Sequence, residues 1–391
     1  MKTPLFITAV TIIFSLFQSC GVCEENKLNI GGYYKELFVS TKSNVTKQNF
    51  FANTQRLRLE FKKKIAPWQF NLTVDNEVLN HDFADKPDFA FVDSRRQNRT
   101  AFLDLDKVTV EKDHLYIKHT IHRASIKYYK SDFQAIIGKQ AVDWGKMRFY
   151  SPLDMFNSIR LTDLEPEERM GVDAVNLNYS PDSFSGINLV YSQGKDSETT
   201  AVGLKGYCKL STYDLSLIVA SANKQKTVGF SFDGYIKDAG LRGEISYSKA
   251  HFDNNSAYPR MAVGMDYNFS NTVYLLFEQF YNGGHEEKNP FFYTFSSLRN
   301  RQIISLQKHL SSILASYELT PLIKLQNTFI YDWDGNSASV NPEIKYNVRS
   351  NVDITLGAQI YAGGETESLF ETSSEFDVYE NAYYFQLKWF F

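Results

Sequence analysis

Three cysteines in 391 residues leave almost no thiol chemistry to build on. Cys20 and Cys23 adjoin an N-terminal apolar run, and Cys20-Gly21-Val22-Cys23 lacks the His of a haem-attachment site, so only Cys208 remains once that leader is removed. One cysteine makes neither a disulfide framework nor a Cys-based metal centre. Long apolar runs are missing too. Beyond the leader, no stretch of about twenty residues is free enough of charge to cross a bilayer as a helix, so the chain is either soluble or crosses as a closed barrel. An excess of one charge is also absent: 42 Lys and Arg against 45 Asp and Glu give a net charge of −3, which offers no basis for a nucleic-acid partner. With no glycine-rich phosphate loop and no nucleophile elbow, neither an enzyme nor a cofactor is expected.

What the sequence does have is aromatics. The 24 Tyr and 31 Phe suit the girdles that a barrel carries at its two membrane surfaces. Residues 1–23 read as a removed export signal: Lys2 is the lone charge, Pro4 to Phe17 is apolar, and Ser19 to Cys23 is small and cleavable. Phe17-Gln18-Ser19-Cys20 departs from a lipoprotein box both at its first place and before the Cys, which favours ordinary cleavage and a mature chain of 24–391.

Period-two alternation runs through that mature chain. Val352, Ile354, Leu356, Ala358 and Ile360 share one face against Asp353, Thr355, Gly357 and Gln359; Trp68, Phe70, Leu72 and Val74 alternate with Gln69, Asn71, Thr73 and Asp75. A β-sandwich alternates in the same way, so the connections must discriminate. Tight turns stand at Ala66-Pro67, Ser131-Asp132, Ser180-Pro181-Asp182, Leu210-Ser211, Lys237-Asp238, Ser270-Asn271, Thr320-Pro321 and Arg349-Ser350-Asn351, and long connections such as 80–114, 145–171, 282–300 and 362–381 lie between them. Such parity predicts an all-β fold, a transmembrane antiparallel up-and-down β-barrel of about eighteen strands with both termini at the tight-turn, periplasmic end. A barrel that wide encloses water, and Arg56, Arg58, Asp75, Arg242, Glu244, Asp266 and Lys388 are expected to face it.

The third long connection, 145–171, interleaves Lys146, Arg148, Arg160 and Arg169 with Asp154, Asp163, Glu165, Glu167, Glu168 and Asp173. Folded inward, it would set a transverse field across the passage and sort solutes by charge and size. Crosslinked by its own ion pairs, it would instead cap the barrel and touch no solute. Trp144 and Phe149 read as packing residues. His114, His119 and His122 cluster on one strand, but His119 and His122 point to opposite faces unless a bulge intervenes, so no metal site is expected.

Two stretches carry a resemblance. The end of the chain places Phe385, Leu387, Trp389 and Phe391 on one face and Gln386 and Lys388 on the other. It is similar to the closing strand of bacterial outer-membrane barrels, which implies that Phe391 and Trp389 belong to the signal read by the barrel-assembly machinery. Gly138-Lys139-Gln140, Trp144-Gly145, Ser151-Pro152-Leu153-Asp154-Met155-Phe156-Asn157 and Glu168-Arg169-Met170-Gly171-Val172-Asp173 resemble a widespread group of porin-like outer-membrane β-barrel proteins of Gram-negative bacteria. There the first strand ends Gly-Arg-Gln and the second motif ends in Pro; here Lys139 and Ser158 take those places. Tyr317-Glu318-Leu319-Thr320-Pro321, Asp334-Gly335, Pro342 and Tyr346 extend the likeness through the C-terminal third. It implies a barrel among outer-membrane lipids and lipopolysaccharide, passing a small hydrophilic solute passively, with a homo-oligomer left open. A barrel sheathing a partner such as a multihaem cytochrome, or a surface receptor or adhesin, would share the fold, since function resides in sites grafted onto it.

Overall fold

Alternating sequences become strands when one face has an apolar partner, and here that partner lies outside the molecule. The computed structural model describes residues 27–42, 47–82, 101–112, 114–156, 164, 169, 171–250, 257–285, 304–363, 373–377 and 379–391. The leader expected over 1–23 lies outside them. The described residues hold nineteen strands: β1 (Leu28–Lys42), β2 (Asn49–Ile65), β3 (Trp68–His81), β4 (Asp106–Lys112), β5 (Leu115–Lys130), β6 (Phe133–Gln140), β7 (Val172–Tyr179), β8 (Ser185–Gln193), β9 (Ala201–Leu210), β10 (Tyr213–Ala222), β11 (Gln225–Ile236), β12 (Ala239–Ala250), β13 (Ala257–Asn268), β14 (Val273–Asn282), β15 (His309–Thr320), β16 (Ile323–Asp332), β17 (Ser337–Arg349), β18 (Val352–Ala362) and β19 (Ala382–Phe390).

Eighteen of them form an antiparallel ring in chain order, and β1 pairs with both β2 and β19 to close it. Gly32 and Phe391 exchange both backbone hydrogen bonds across that seam, at 3.0 and 3.1 Å. Tight turns at the eight expected places join β2–β3, β5–β6, β7–β8, β9–β10, β11–β12, β13–β14, β15–β16 and β17–β18.

The strand that alternation did not reveal is β4, which among the described residues pairs with β5 alone. Its position has a physical cause. β6 covers β5 only from Ala124 to Lys130, because the chain turns inward after Gln140, and β4 covers the stretch of β5 from Leu115 to Thr120 that β6 leaves bare. Ala101 bridges to Gly194, and the Leu103 amide donates to Asp173 Oδ2 at 2.9 Å, carrying the patch toward β8. An open edge at membrane depth would leave backbone groups with neither water nor a partner.

The faces are inverted relative to a soluble sandwich. Leu356 is 52% exposed and its neighbour Thr355 7%; Met261, Val263 and Met265 point out, while Ala262 and Gly264 point in. Leaving such side chains in water would forfeit about 1.5–3 kcal/mol for each large one, repeated all round the wall, so the outer face belongs in lipid. Aromatic pairs mark both rims: Trp68 with Tyr128 and Tyr267 with Phe269, each at 4.7 Å, at the tight-turn end, and Tyr331 with Trp333 at 4.9 Å at the other.

The register of β5 against β3 shifts between Thr73 and Val74, a bulge at His122. His122 lies 3.6 Å from inward Asp75, while His119 faces outward and bonds Asn76 Oδ1 at 2.8 Å. Even with the bulge, the two rings stay on opposite sides of the wall.

Candidate functional site

Past Gln140 the chain leaves the wall, and residues 141–156 run through the barrel interior. Two apolar contacts hold them. Val142, Trp144, Leu153 and Phe156 pack on Ala174, Val190, Ala201, Ile218 and Ala220 of β7–β10, and Met147, Phe149 and Tyr150 pack on Ala262, Leu276, Phe280, Leu310, Leu314 and Ile330 of β13–β16. Trp144 donates from Nε1 to Asn188 Oδ1 at 2.9 Å and meets Phe156 edge-on; Tyr150 stacks on Phe280 at 5.1 Å. Under these two contacts the inward positions of β7–β10 and β13–β16 are mainly apolar, with Asn188 and Glu278 among them.

An irregular segment inside a barrel also carries amides that no ladder satisfies. Two wall carboxylates satisfy five of them. Glu244 on β12 accepts from the amides of Lys146, Met147 (3.2 Å) and Leu153 (3.1 Å) and from Ser151 Oγ (2.7 Å); Glu278 on β14 accepts from the amides of Arg148 (2.8 Å) and Phe149 (2.9 Å). At the long-loop end, the tight β10–β11 turn, left-handed at Asn223 and Lys224, donates from Asn223 Nδ2 to Met155 O at 2.9 Å.

The residues predicted from sequence divide into groups. Glu244 faces inward as its phase requires, but it is buried beneath the segment and bonds backbone instead of water; the correction follows from the amide demand above. Arg169 Nη1 stands 3.1 Å from both Asp143 and Asp154. Lys146 Nζ lies 3.8 Å from Asp233, and Arg242 pairs with Asp266. Arg148 is engaged through its amide, and Asp173 holds Leu103. Arg160, Asp163, Glu165, Glu167 and Glu168 lie outside the described residues.

The arc from β1 to β6, with β19, is charged on its inner face. Arg56 bonds Glu77 and Arg58 bonds Asp75, both at 2.6 Å, and Lys118 reaches Asp106 at 2.8 Å. Lys35 and Lys139 are buried on the same wall, and Lys388 Nζ stands 4.2 Å over the Tyr33 ring. Sequence reasoning missed Glu77, Lys118 and Lys35, although each stands at the inward phase of its strand.

A second inward piece was not anticipated at all. In 373–377, Phe376 joins the Met147, Phe149 and Tyr150 cluster, and the Glu375 carboxylate accepts from the amides of Leu306 (2.7 Å) and Gln307 (3.1 Å) and from Tyr150 Oη (3.4 Å). The Glu375 amide donates to buried Asp332 at 2.9 Å. Burial pushes the Glu375 carboxyl up to about 8; the Leu306 and Gln307 amides oppose the rise, and Asp332 adds to it. The docked state therefore holds a proton that a released loop would give up. The docking stability linked to Glu375 is complete below its ordinary value near 4.5 and is lost as pH rises through about 8. Amide hydrogen exchange at Leu306 and Gln307 is expected to speed up between about pH 6 and about pH 9 beyond the intrinsic chemical trend, and Glu375→Gln to abolish that excess. Identical excess in both proteins would contradict this assignment.

No protein-family model matches the chain, and no curated protein matches it. Solved structures do. Acinetobacter baumannii OccAB2 aligns with a TM-score of 0.56 at 12% identity, covering 93% of this chain and 98% of that one. Pseudomonas aeruginosa OccK5 (OpdH) gives 0.57 at 10%, with 95% and 99% covered, and the Pseudomonas aeruginosa outer membrane protein opdK gives 0.56 at 7%, with 93% and 99% covered. At these identities the likeness is one of fold, and this chain shares the closed barrel of those proteins.

Proposed function

We propose that the chain is an outer-membrane channel for passive passage of small hydrophilic solutes, built on the fold shared with the Occ/OprD porins. The observation that carries this reading is the placement of 141–156: the segment packs on β7–β10 and β13–β16, and the inner face of the β1–β6 arc carries charges held in pairs, Arg56 with Glu77 and Arg58 with Asp75, none more than 8% exposed. Water-filled barrels of this width pass solutes unless an inward segment narrows them, and the lining charges then select among solutes. On that arc Lys35, Arg56, Arg58, Lys118, Lys139 and Lys388 stand against Asp75, Glu77 and Asp106, which favours anions. Membrane lipids surround the barrel. Recognition of Phe391 and Trp389 by the assembly machinery, contact with lipopolysaccharide and any homo-oligomer belong to the same proposal.

The test is a reversal potential across a planar bilayer under a salt gradient. Wild-type protein is expected to prefer anions, and the pair Arg56→Ala with Arg58→Ala to shift toward cations, more so at low salt, where fixed charge is screened less. A preference for cations, or one indifferent to both changes, would sink the anion reading. Protein that conducts nothing would favour a sheath for a partner or a surface receptor.

A further inference from the structure

The wall beneath 141–156 is shaped to receive it. Gly203 on β9, Gly229 on β11 and Gly264 on β13 are inward glycines on alternate strands, and each lies under a side chain of the segment. A Cβ at Gly203 would stand 2.6 Å from Trp144 Cη2, one at Gly229 would overlap Leu153 Cδ2, and one at Gly264 would lie 3.1 Å from Met147 Cε and 2.9 Å from Glu278 Cγ. Gly206, at the outward phase of β9, would meet nothing within 4 Å. Glycine weakens a strand interior, so three of them at one phase beneath one segment mark close approach. The strands that follow the second and third sockets, β12 and β14, carry Glu244 and Glu278, so sockets and carboxylate clamps alternate from β11 to β14.

Granting the channel reading above, we propose that this dock sets the width of the passage: Gly203, Gly229, Gly264, Glu244 and Glu278 are its positioning residues, whatever charges the segment itself carries. Swinging the segment away would strip two buried carboxylates of their charge-assisted partners and empty three sockets, so the docked position is fixed and no gating motion of 141–156 is required.

The experiment compares Gly229→Leu and Glu278→Ala with wild type in planar bilayers, with outward Gly206→Leu as control and heat-modifiable gel migration as the check on barrel integrity. Each dock variant is expected to raise single-channel conductance by about twofold or more, add open-channel noise and admit larger solutes, because both release the narrowing segment. Gly206→Leu should match wild type. In protein lacking Met147 to Arg169, Glu278→Ala should change solute size exclusion no further, since nothing is left to position. Folded dock variants with wild-type conductance, or with the same gain in size limit in the deleted background, would overturn the proposal. Should Gly229→Leu fail to assemble, Glu278→Ala decides alone. Hydrogen exchange at the Arg148 and Phe149 amides separates the dock from the channel: it should rise in Glu278→Ala even in protein that conducts nothing, and unchanged exchange there would also overturn the dock.

Discussion

Removing Met147 to Arg169 is expected to raise single-channel conductance several-fold, roughly threefold or more, and to admit solutes that wild-type protein excludes. The segment lost includes Met147, Phe149, Tyr150, Leu153 and Phe156, which together fill the interior against β7–β16. Deletion uncovers Glu244 and Glu278, but it also removes Arg148, Arg160 and Arg169 with Asp154, Asp163, Glu165, Glu167 and Glu168, a net charge of −2, so the fixed charge of the widened passage changes little. Conductance and size limit should therefore change strongly while ion preference stays near that of wild type. Conductance and size limit unchanged from wild type would mean that 141–156 lies outside the path of ions.

Replacing Leu356 with Arg is expected to cost about 2–4 kcal/mol of barrel stability, the depth-dependent cost of a cation on the lipid face near the midplane. The same change at Thr355, one residue away and turned inward, should alter conductance and leave stability largely intact. Denaturant titration from lipid vesicles measures the first effect, read as a fall in midpoint at constant slope. Equal losses at both positions would mean that the two faces do not have different solvents.

The wall was legible because lipid and lumen impose one period on every strand. Leu356 beside Thr355 and Leu72 beside Thr73 state their sides in the sequence, and tight turns separated by long connections state the direction of each hairpin. β4 escaped because its seven residues lie inside a long connection and exist to cover an edge, which depends on where β6 stops. The site was legible only in part. The sequence located the segment after Gln140 and read Trp144 and Phe149 as packing residues, but the demand of its bare amides for wall carboxylates went unread. Glu278 was overlooked within Phe277-Glu278-Gln279-Phe280, although an acid at the inward phase among aromatics was the available signal. Gly203, Gly229 and Gly264 offered another, since inward glycines at mid-strand point to something pressed against the wall. Glu375 gave no such signal, because its partners Tyr150, Leu306 and Gln307 come together only after three separate connections fold inward.

The central claim is that a closed barrel with one side of its interior filled still leaves an open path for ions. Refolded wild-type protein in a planar bilayer tests it most directly. Discrete, uniform conductance steps are predicted, larger in the protein lacking Met147 to Arg169; a folded, heat-modifiable barrel that inserts and remains silent in both forms would contradict it.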